Sequence, residues 1–95
     1  MLFIVHRVDR PGTNALRMKT RPAHLEWTKT VGARLKFAGP TLAEDGKTMN
    51  GSIWVIEADS LDAANTLMTN DAYEKVYLFE SKIVRHFMQT VPEPS

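Results

Sequence analysis

The chain contains no cysteine among its 95 residues. This absence excludes disulfide bonds, thiolate zinc sites and a cysteine nucleophile, and it fits the reducing conditions of the cytoplasm. Long apolar runs are also absent: no stretch approaches the roughly 20 residues that cross a bilayer, and the first residues lack the basic region of a signal peptide. We therefore expect a cytoplasmic protein with no membrane partner.

Phosphate-binding and metal-binding patterns are missing as well. None of the glycine spacings that cradle phosphates occurs, and the three histidines show no i, i+4 spacing. The segment 51–57 lacks the basic and paired aromatic residues with which similar sheets bind RNA. The sequence thus predicts no cofactor, no metal and no nucleic-acid partner.

The formal net charge is only +1, but the basic and acidic residues are unevenly distributed along the chain. Up to Lys36, eight basic residues accompany two acidic ones, whereas from Phe37 onward four basic residues accompany nine acidic ones. A basic N-terminal half would attract an anionic substrate. Alternatively, the two halves neutralise each other within the fold or across a dimer, and composition alone favours this second interpretation.

The pattern of apolar residues fits one domain over residues 1–95, with a tail from about residue 89. It predicts strands at residues 2–8, 35–42, 52–58 and 78–88, and helices at about 13–32, 60–70 and 71–76. Asp45-Gly46 and Asn50-Gly51 are both hairpin signals. The βαββαβ order predicts a ferredoxin-like α+β fold, in which a four-stranded antiparallel sheet carries both helices on one face.

The other face of such a sheet has no cover of its own. A chain of 95 residues buries a thin core, and Trp54 with its apolar neighbours needs a partner surface. A second copy of the chain would supply that surface, so we expect a homodimer.

Pro22 lies inside the first predicted helix. Because an interior proline costs about 3 kcal/mol, we expect the helix to kink or to restart there, with Thr20 as a plausible cap. His24 would then lie in the first turn of the restarted helix. The helix dipole disfavours an imidazolium at that place and would keep the ring neutral.

His24 is the candidate proton acceptor, because histidine titrates near neutral pH. On a helix, Arg17, Arg21 and Thr28 share its face. We expect His24 to act as a base while Arg17 or Arg21 stabilises a phenolate, enolate or carboxylate. Alternatively, His24 is a surface histidine among solvated arginines, and the spacing alone favours this alternative.

Asp71 offers a carboxylate that can orient a catalytic imidazole and stabilise its charged form. The run from Asp71 to Glu74 also fits a capping box, in which Asp71 binds the amide three residues on and Glu74 reaches back. Capping contributes about 1 kcal/mol, which is reason enough for an aspartate at this position. Both roles are compatible, because a carboxylate has two oxygens.

Three further residues are candidates for contacting a substrate, namely Ser52, Trp54 and Tyr73. Ser52 can donate a hydrogen bond but lacks the G-x-S-x-G context of a nucleophile. The alternative for the two rings is that they fill a dimer core. His6 on the first predicted strand and His86 on the last could flank the cleft, but both fit half-buried strand positions better than positions in a functional site.

Several short motifs, in order along nearly the whole chain, resemble the YciI-like (YCII-related) proteins. These motifs are Arg21-Pro22-Ala23-His24-Leu25, Phe37-Ala38-Gly39-Pro40, Asp45-Gly46, Gly51-Ser52, Asn70-Asp71-Ala72-Tyr73 and Leu78-Phe79-Glu80. The resemblance implies a ferredoxin-like subunit in a dimeric α+β barrel. It also implies an active site built from a histidine and an aspartate, which by motif are His24 and Asp71.

The resemblance implies less about activity than about the fold. One similar enzyme removes chloride from a chlorinated hydroxyhydroquinone, with the dyad starting the reaction, and an isomerase of aromatic catabolism has a similar fold. This chain departs from the family pattern at Ala72, where proline is usual, and at Val76-Tyr77, where Ala-Gly is common. Arg85-His86-Phe87 likewise replaces a more usual Arg-Pro-aromatic ending.

The leading hypothesis is a cofactor-independent enzyme, a lyase or an isomerase. His24 abstracts a proton from a small hydroxylated aromatic, quinol or lactone, and Asp71 orients His24. Elimination or isomerisation then follows. The alternative hypothesis is a non-catalytic dimeric module that binds a small anion through Arg17 or Arg21.

Overall fold

The computed structural model describes residues 1–94 and orders the strands and helices as the sequence predicts. The elements are β1 (Leu2–Asp9), α1 (Asn14–Val31), a 3₁₀ turn (Gly32–Arg34), β2 (Leu35–Leu42), β3 (Met49–Glu57), α2 (Leu61–Thr69), α3 (Ala72–Lys75) and β4 (Phe79–Phe87). The strands form one antiparallel sheet in the order β2-β3-β1-β4. The predicted ferredoxin-like βαββαβ fold is therefore confirmed.

The core lies between one face of the sheet and the helices. Alternation along β1 buries Phe3 and Val5 on this face, and their partners on β3 are Ile56 and Trp54. The helices contribute four buried residues, which are Trp27, Val31, Ala64 and Met68. Each large apolar side chain buried in this way contributes roughly 1.5–3 kcal/mol. Both long helices therefore cover the same face, and the opposite face of the sheet carries no helix. The expectation that Trp54 needs a partner surface is wrong, because Trp54 lies on the helix-covered face, where it is 3% exposed and packs against Trp27.

Of the two expectations at Pro22, a restart of the helix is wrong, because α1 runs without interruption from Asn14 to Val31. A proline inside a helix removes the hydrogen bond of its own nitrogen, and its ring crowds the carbonyl group four residues earlier. Buried residues on both sides of it, Arg17 before and Trp27 after, hold the two halves of the helix in place. Thr20 is consequently an interior residue and not a cap. His24 lies in mid-helix, where the helix dipole, which acts within the terminal turns, does not set its charge.

One of the two predicted hairpin signals does not mark a turn. Asp45-Gly46 lies between β2 and β3, where the Asp45 carboxylate accepts hydrogen bonds from two backbone amides. Gly51, by contrast, lies within β3 opposite Thr41. A Cβ at position 51 would lie 2.4 Å from the Arg7 carbonyl oxygen and 2.6 Å from Thr41 Oγ1. Glycine is required there by close packing between strands and not by a turn.

After β4, residues 88–94 form neither helix nor strand. Among the described helices, none combines the length and the apolar character that crossing a membrane requires.

Candidate functional site

His24 and Asp71 meet in the folded chain although 47 positions separate them. His24 projects from the middle of α1, and Asp71 is the N-cap residue of α3. The two side chains are joined by a contact of 2.8 Å between His24 Nδ1 and Asp71 Oδ1. The Asp71 side chain is completely buried, whereas 13% of the His24 side chain is exposed. The imidazole therefore lies between a buried carboxylate and space that a ligand can reach.

Both oxygens of the Asp71 carboxylate accept further hydrogen bonds. Oδ1 also accepts the backbone N–H of Tyr73 at 3.1 Å, and Oδ2 accepts Arg7 Nη2 at 2.8 Å. Burial alone would raise the pKa of Asp71, but the hydrogen bond from His24, the charge of Arg7 and the Tyr73 amide outweigh it. The net result is a pKa below the ordinary value for aspartate, so Asp71 is a carboxylate at neutral pH.

This charge state decides the hydrogen-bond roles of the imidazole. An ionised carboxylate only accepts hydrogen bonds, so His24 Nδ1 must donate its proton to Asp71. In a neutral ring the other nitrogen, Nε2, is then an unprotonated acceptor. The arrangement leaves Nε2 as a base and places a negative charge behind the ring, where it stabilises an imidazolium.

Three aromatic rings fix the plane of the imidazole. The Tyr73 ring stacks on it with centroids 4.1 Å apart and an angle of 16° between the planes. Trp54 meets it edge-on at 5.7 Å, and Trp27 lies at 5.9 Å. Because stacking resists rotation of the ring, His24 keeps its orientation independently of any ligand.

A cavity of about 250 Å³ opens beside this ring. Its polar lining consists of Arg17, Arg21, His24, Thr28, Ser52 and Tyr73. Trp54, Leu25, Met49 and residues of β2 complete the wall. The structure thus brings together all seven residues that the sequence nominated: six line the cavity, and Asp71 lies behind His24.

The two arginines of the cavity differ in their partners. Arg17 is buried and donates from Nε and Nη2 to the Asp9 carboxylate at 2.7 and 3.2 Å, and its charge is thereby neutralised. Its guanidinium also lies 4.7 Å from the centre of the Tyr73 ring. Arg21 is half-buried and has no hydrogen-bond or ion-pair partner within residues 1–94. Of the two, Arg21 is the arginine whose charge is available to an anion.

Three hydroxyl groups belong to the polar lining; that of Thr28 donates to the Leu25 carbonyl oxygen, and those of Ser52 and Tyr73 remain. Ser52 Oγ accepts hydrogen bonds from Arg7 Nε at 3.3 Å and from Trp54 Nε1 at 3.1 Å. With both lone pairs engaged, the Ser52 hydroxyl still has its own proton to donate. Burial raises the pKa of Tyr73, with Arg17 opposing, so its phenol stays protonated at neutral pH.

The sequence did not reveal the residues that surround Asp71, above all Arg7. Asp71 does cap α3, but through the Tyr73 amide, and Glu74 does not reach back as a capping box requires. Glu74 instead accepts hydrogen bonds from Arg7 and Lys82, both at 3.1 Å. One signal was present: Arg7 follows Phe3 and Val5 at the spacing of one strand face, which is the buried face.

The other two histidines lie outside the cavity. His6 is on the uncovered face of the sheet, and His86 packs against Phe3 with ring centres 4.7 Å apart. Within the described residues, no three histidine or acidic side chains are grouped so that they could hold a metal ion.

The model of the YCII-related domain family matches residues 1–88. Two proteins called YciI, from Escherichia coli O6:H1 and from Shigella flexneri, are each 30% identical over 94 residues, which is 92% of this chain and 96% of theirs.

A solved structure is similar over nearly the whole chain. It is the 5-chloro-2-hydroxyhydroquinone dehydrochlorinase of Burkholderia phenoliruptrix AC1100 in complex with 2,5-dihydroxybenzoquinone. The identity is 35%, the TM-score is 0.87, and the match covers 96% of this chain and 97% of that chain. The resemblance identified from the sequence is therefore confirmed at the level of family and fold.

Proposed function

Since the chain belongs to the YCII-related domain family, we propose that it is a cofactor-independent enzyme in which His24 removes a proton from a small substrate. The observation that carries the proposal is the 2.8 Å contact between His24 Nδ1 and Asp71 Oδ1. In a neutral ring, that contact leaves Nε2 without a proton, and His24 lines the cavity. The similar dehydrochlorinase, whose name describes loss of hydrogen chloride from a chlorinated quinol, supports the same reaction class.

The reaction begins when His24 Nε2 takes a proton from a hydroxyl group or an acidic carbon. The imidazolium that forms is stabilised by Asp71, which remains ionised. In an elimination, the electron pair left by the proton forms a new π bond, and the leaving group departs with the electrons of its own bond. In an isomerisation, the imidazolium returns the proton to another carbon.

The cavity limits the size of the substrate. Its volume of about 250 Å³ exceeds the roughly 150 Å³ that encloses benzene and falls below the roughly 300–1,000 Å³ of pockets for drug-sized ligands. One ring with small substituents fits. The Ser52 hydroxyl and the Arg21 guanidinium offer donors to oxygens on that ring, so we propose a hydroxylated aromatic, quinol or lactone.

Binding of 2,5-dihydroxybenzoquinone, measured by calorimetry, tests this subsite. We expect Arg21→Gln to weaken binding roughly tenfold, because hydrogen bonds to charged groups contribute about 1.5–3 kcal/mol. Lys19→Gln is the matched control, since it removes the same charge from an exposed position of the same helix. Equal losses in the two variants would contradict an anion site at Arg21 and indicate a general effect of charge.

We also propose that the protein is a homodimer formed through the uncovered face of the sheet. This face carries apolar side chains from all four strands, which are Leu2, Ile4, Val8, Phe37, Ile53, Val55, Ile83 and Phe87. Phe37 is 58% exposed and Ile83 is 45% exposed, although both are large and apolar. A second copy of the chain, laid on this face, would bury them.

Sedimentation velocity at micromolar concentration tests the dimer. We expect the parent protein to sediment as a dimer and Ile83→Lys to sediment as a monomer. A symmetric interface contains each residue twice, so two lysine charges would have to be buried without partners. Met18→Lys places the same charge on an exposed residue of α1 and should leave the dimer intact. A monomeric parent protein would contradict the proposal.

A further inference from the structure

Arg7 is a fully buried arginine in the middle of β1 that the reaction outlined above does not use directly. Its guanidinium carbon lies 4.2 Å from the centre of the Phe79 ring and 5.5 Å from that of Trp54. A buried charge is costly unless it is paired and hydrogen-bonded. Its partners are therefore informative about why an arginine is present at this place.

Each nitrogen of the Arg7 guanidinium group has a different acceptor. Nη2 donates to Asp71 at 2.8 Å, Nη1 to Glu74 at 3.1 Å, and Nε to Ser52 at 3.3 Å. Neutralising one buried arginine requires only one carboxylate. Here Glu74, which Lys82 also contacts, would suffice, yet two of the three nitrogens are directed at the candidate orienting carboxylate and the cavity hydroxyl.

At Asp71, the contact with Arg7 determines which oxygen faces His24. Because Arg7 occupies Oδ2, the carboxylate presents Oδ1 to the imidazole. The arginine charge also favours the ionised form of Asp71 against the effect of burial. An ionised Asp71 holds the proton of His24 on Nδ1, and Nε2 is therefore left free to act as the base.

At Ser52, the same guanidinium group determines the direction of the hydroxyl proton. Arg7 Nε and Trp54 Nε1 are both donors, so they occupy the acceptor positions of Ser52 Oγ. The hydroxyl proton must then point away from both of them. Because Ser52 lines the cavity, that proton is the donor available to a substrate oxygen.

From this arrangement we propose that Arg7 is a positioning residue, which sets His24 as an acceptor through Asp71 and sets the Ser52 hydroxyl as a donor. The proposal rests on the proposed roles of His24 and Ser52, but it requires no turnover for its test. One buried side chain would thus position both the proton acceptor, His24, and the hydrogen-bond donor, Ser52.

The first test uses NMR on Arg7→Met, with the Asp71 pKa followed by carboxyl carbon shifts and the His24 tautomer by ring nitrogen shifts. We expect the pKa of Asp71 to rise and the Nδ1–H tautomer to lose its dominance, because the neighbouring charge is lost. Lys82→Met is the matched control, since Lys82 contacts Glu74 but neither Asp71 nor Ser52. It should leave both signals as in the parent protein.

The second test uses Arg7→Lys, which keeps the charge and so favours a folded protein. A lysine is a point charge and cannot reach three separate acceptors as the planar guanidinium group does. We expect the His24 tautomer to be retained, while 2,5-dihydroxybenzoquinone binds roughly tenfold more weakly because Ser52 is no longer fixed.

Parent-like NMR signals in a folded Arg7→Met protein would overturn the proposal, and so would parent-like binding by Arg7→Lys. These results are separate from the proposed function. A tautomer that responds to Arg7 in a protein without turnover would support positioning and count against the enzyme, whereas turnover without such a response would do the reverse.

Discussion

Under the proposed mechanism, replacing His24 by glutamine is expected to lower turnover roughly 10²–10⁴-fold, which is the usual contribution of general acid–base catalysis. Glutamine approximates the size of the imidazole and can still donate a hydrogen bond to Asp71. Its amide has no nitrogen that accepts a proton, so the base at the cavity wall is lost. Chloride release from 5-chloro-2-hydroxyhydroquinone, the compound in the name of the similar enzyme, provides the assay.

The loss should appear in kcat and leave KM little changed. Arg21 and Ser52 line the cavity and make no hydrogen bond to His24, so binding in the ground state remains. A residue that acts only in the transition state lowers kcat and kcat/KM together. A rise in KM with unchanged kcat would instead assign His24 to binding and favour the non-catalytic module.

Two histidines serve as matched controls for this experiment. His6→Gln changes a residue on the opposite face of the sheet, and His86→Gln changes one that packs on Phe3. Neither residue lines the cavity, so turnover should remain at the parent level. A loss in His6→Gln as large as that in His24→Gln would mean that dimer formation, and not proton transfer, had been disrupted.

The strands and helices were predictable because their signals are local. Alternating apolar residues in β1 and spaced apolar residues in α1 and α2 specify period and face without reference to distant contacts. Their order then restricts the topology to a few possibilities. The restart expected at Pro22 does not occur for the complementary reason, since burial of Arg17 and Trp27 by the rest of the fold outweighs a local penalty.

The candidate site was predictable only in part, because its decisive contacts are long-range. The helical spacing of Arg17, Arg21 and His24 placed them on one face, and the family resemblance added Asp71. No local pattern shows that Asp9 neutralises Arg17 and leaves Arg21 without a partner.

Arg7 escaped prediction for the same reason. A charged residue in a strand is typical of a solvated face, and the acceptors of Arg7 lie 45 to 67 positions away in the chain. The local capping-box motif likewise gave a plausible role to Glu74. Pairing with Arg7 and Lys82 took precedence over that role, because a buried guanidinium group needs carboxylates nearby.

Replacing Asp71 by asparagine is expected to lower the free energy of unfolding by about 3 kcal/mol at pH 7. Breaking a buried ion pair costs about 3–5 kcal/mol, and the lower end applies because Glu74 still pairs with Arg7. Asparagine keeps an oxygen that can accept the Tyr73 amide, so loss of the cap adds little. Urea unfolding followed by circular dichroism measures the difference, with the exposed Asp59→Asn as control.

The size of this difference should depend on pH in one direction. The folded-state pKa of Asp71 lies below the ordinary value for aspartate, so folding favours its ionised form. The corresponding stability is fully present above the unfolded pKa and is lost as pH falls through the folded pKa. The parent protein and Asp71→Asn should therefore differ most at neutral pH and converge in acid below about pH 4.

A difference that stays constant from neutral pH into acid would carry a specific consequence for the site. It would mean that folding does not favour the ionised form of Asp71. The proton between the two side chains could then not be assigned to His24 Nδ1 rather than to Asp71 Oδ1. The assignment of Nε2 as the base would then lose its physical basis, even if the 2.8 Å contact remained. If the stabilities of the parent protein and Asp71→Asn converge in acid and His24→Gln loses turnover, the buried charge of Asp71 would contribute both to stability and to the proposed proton transfer.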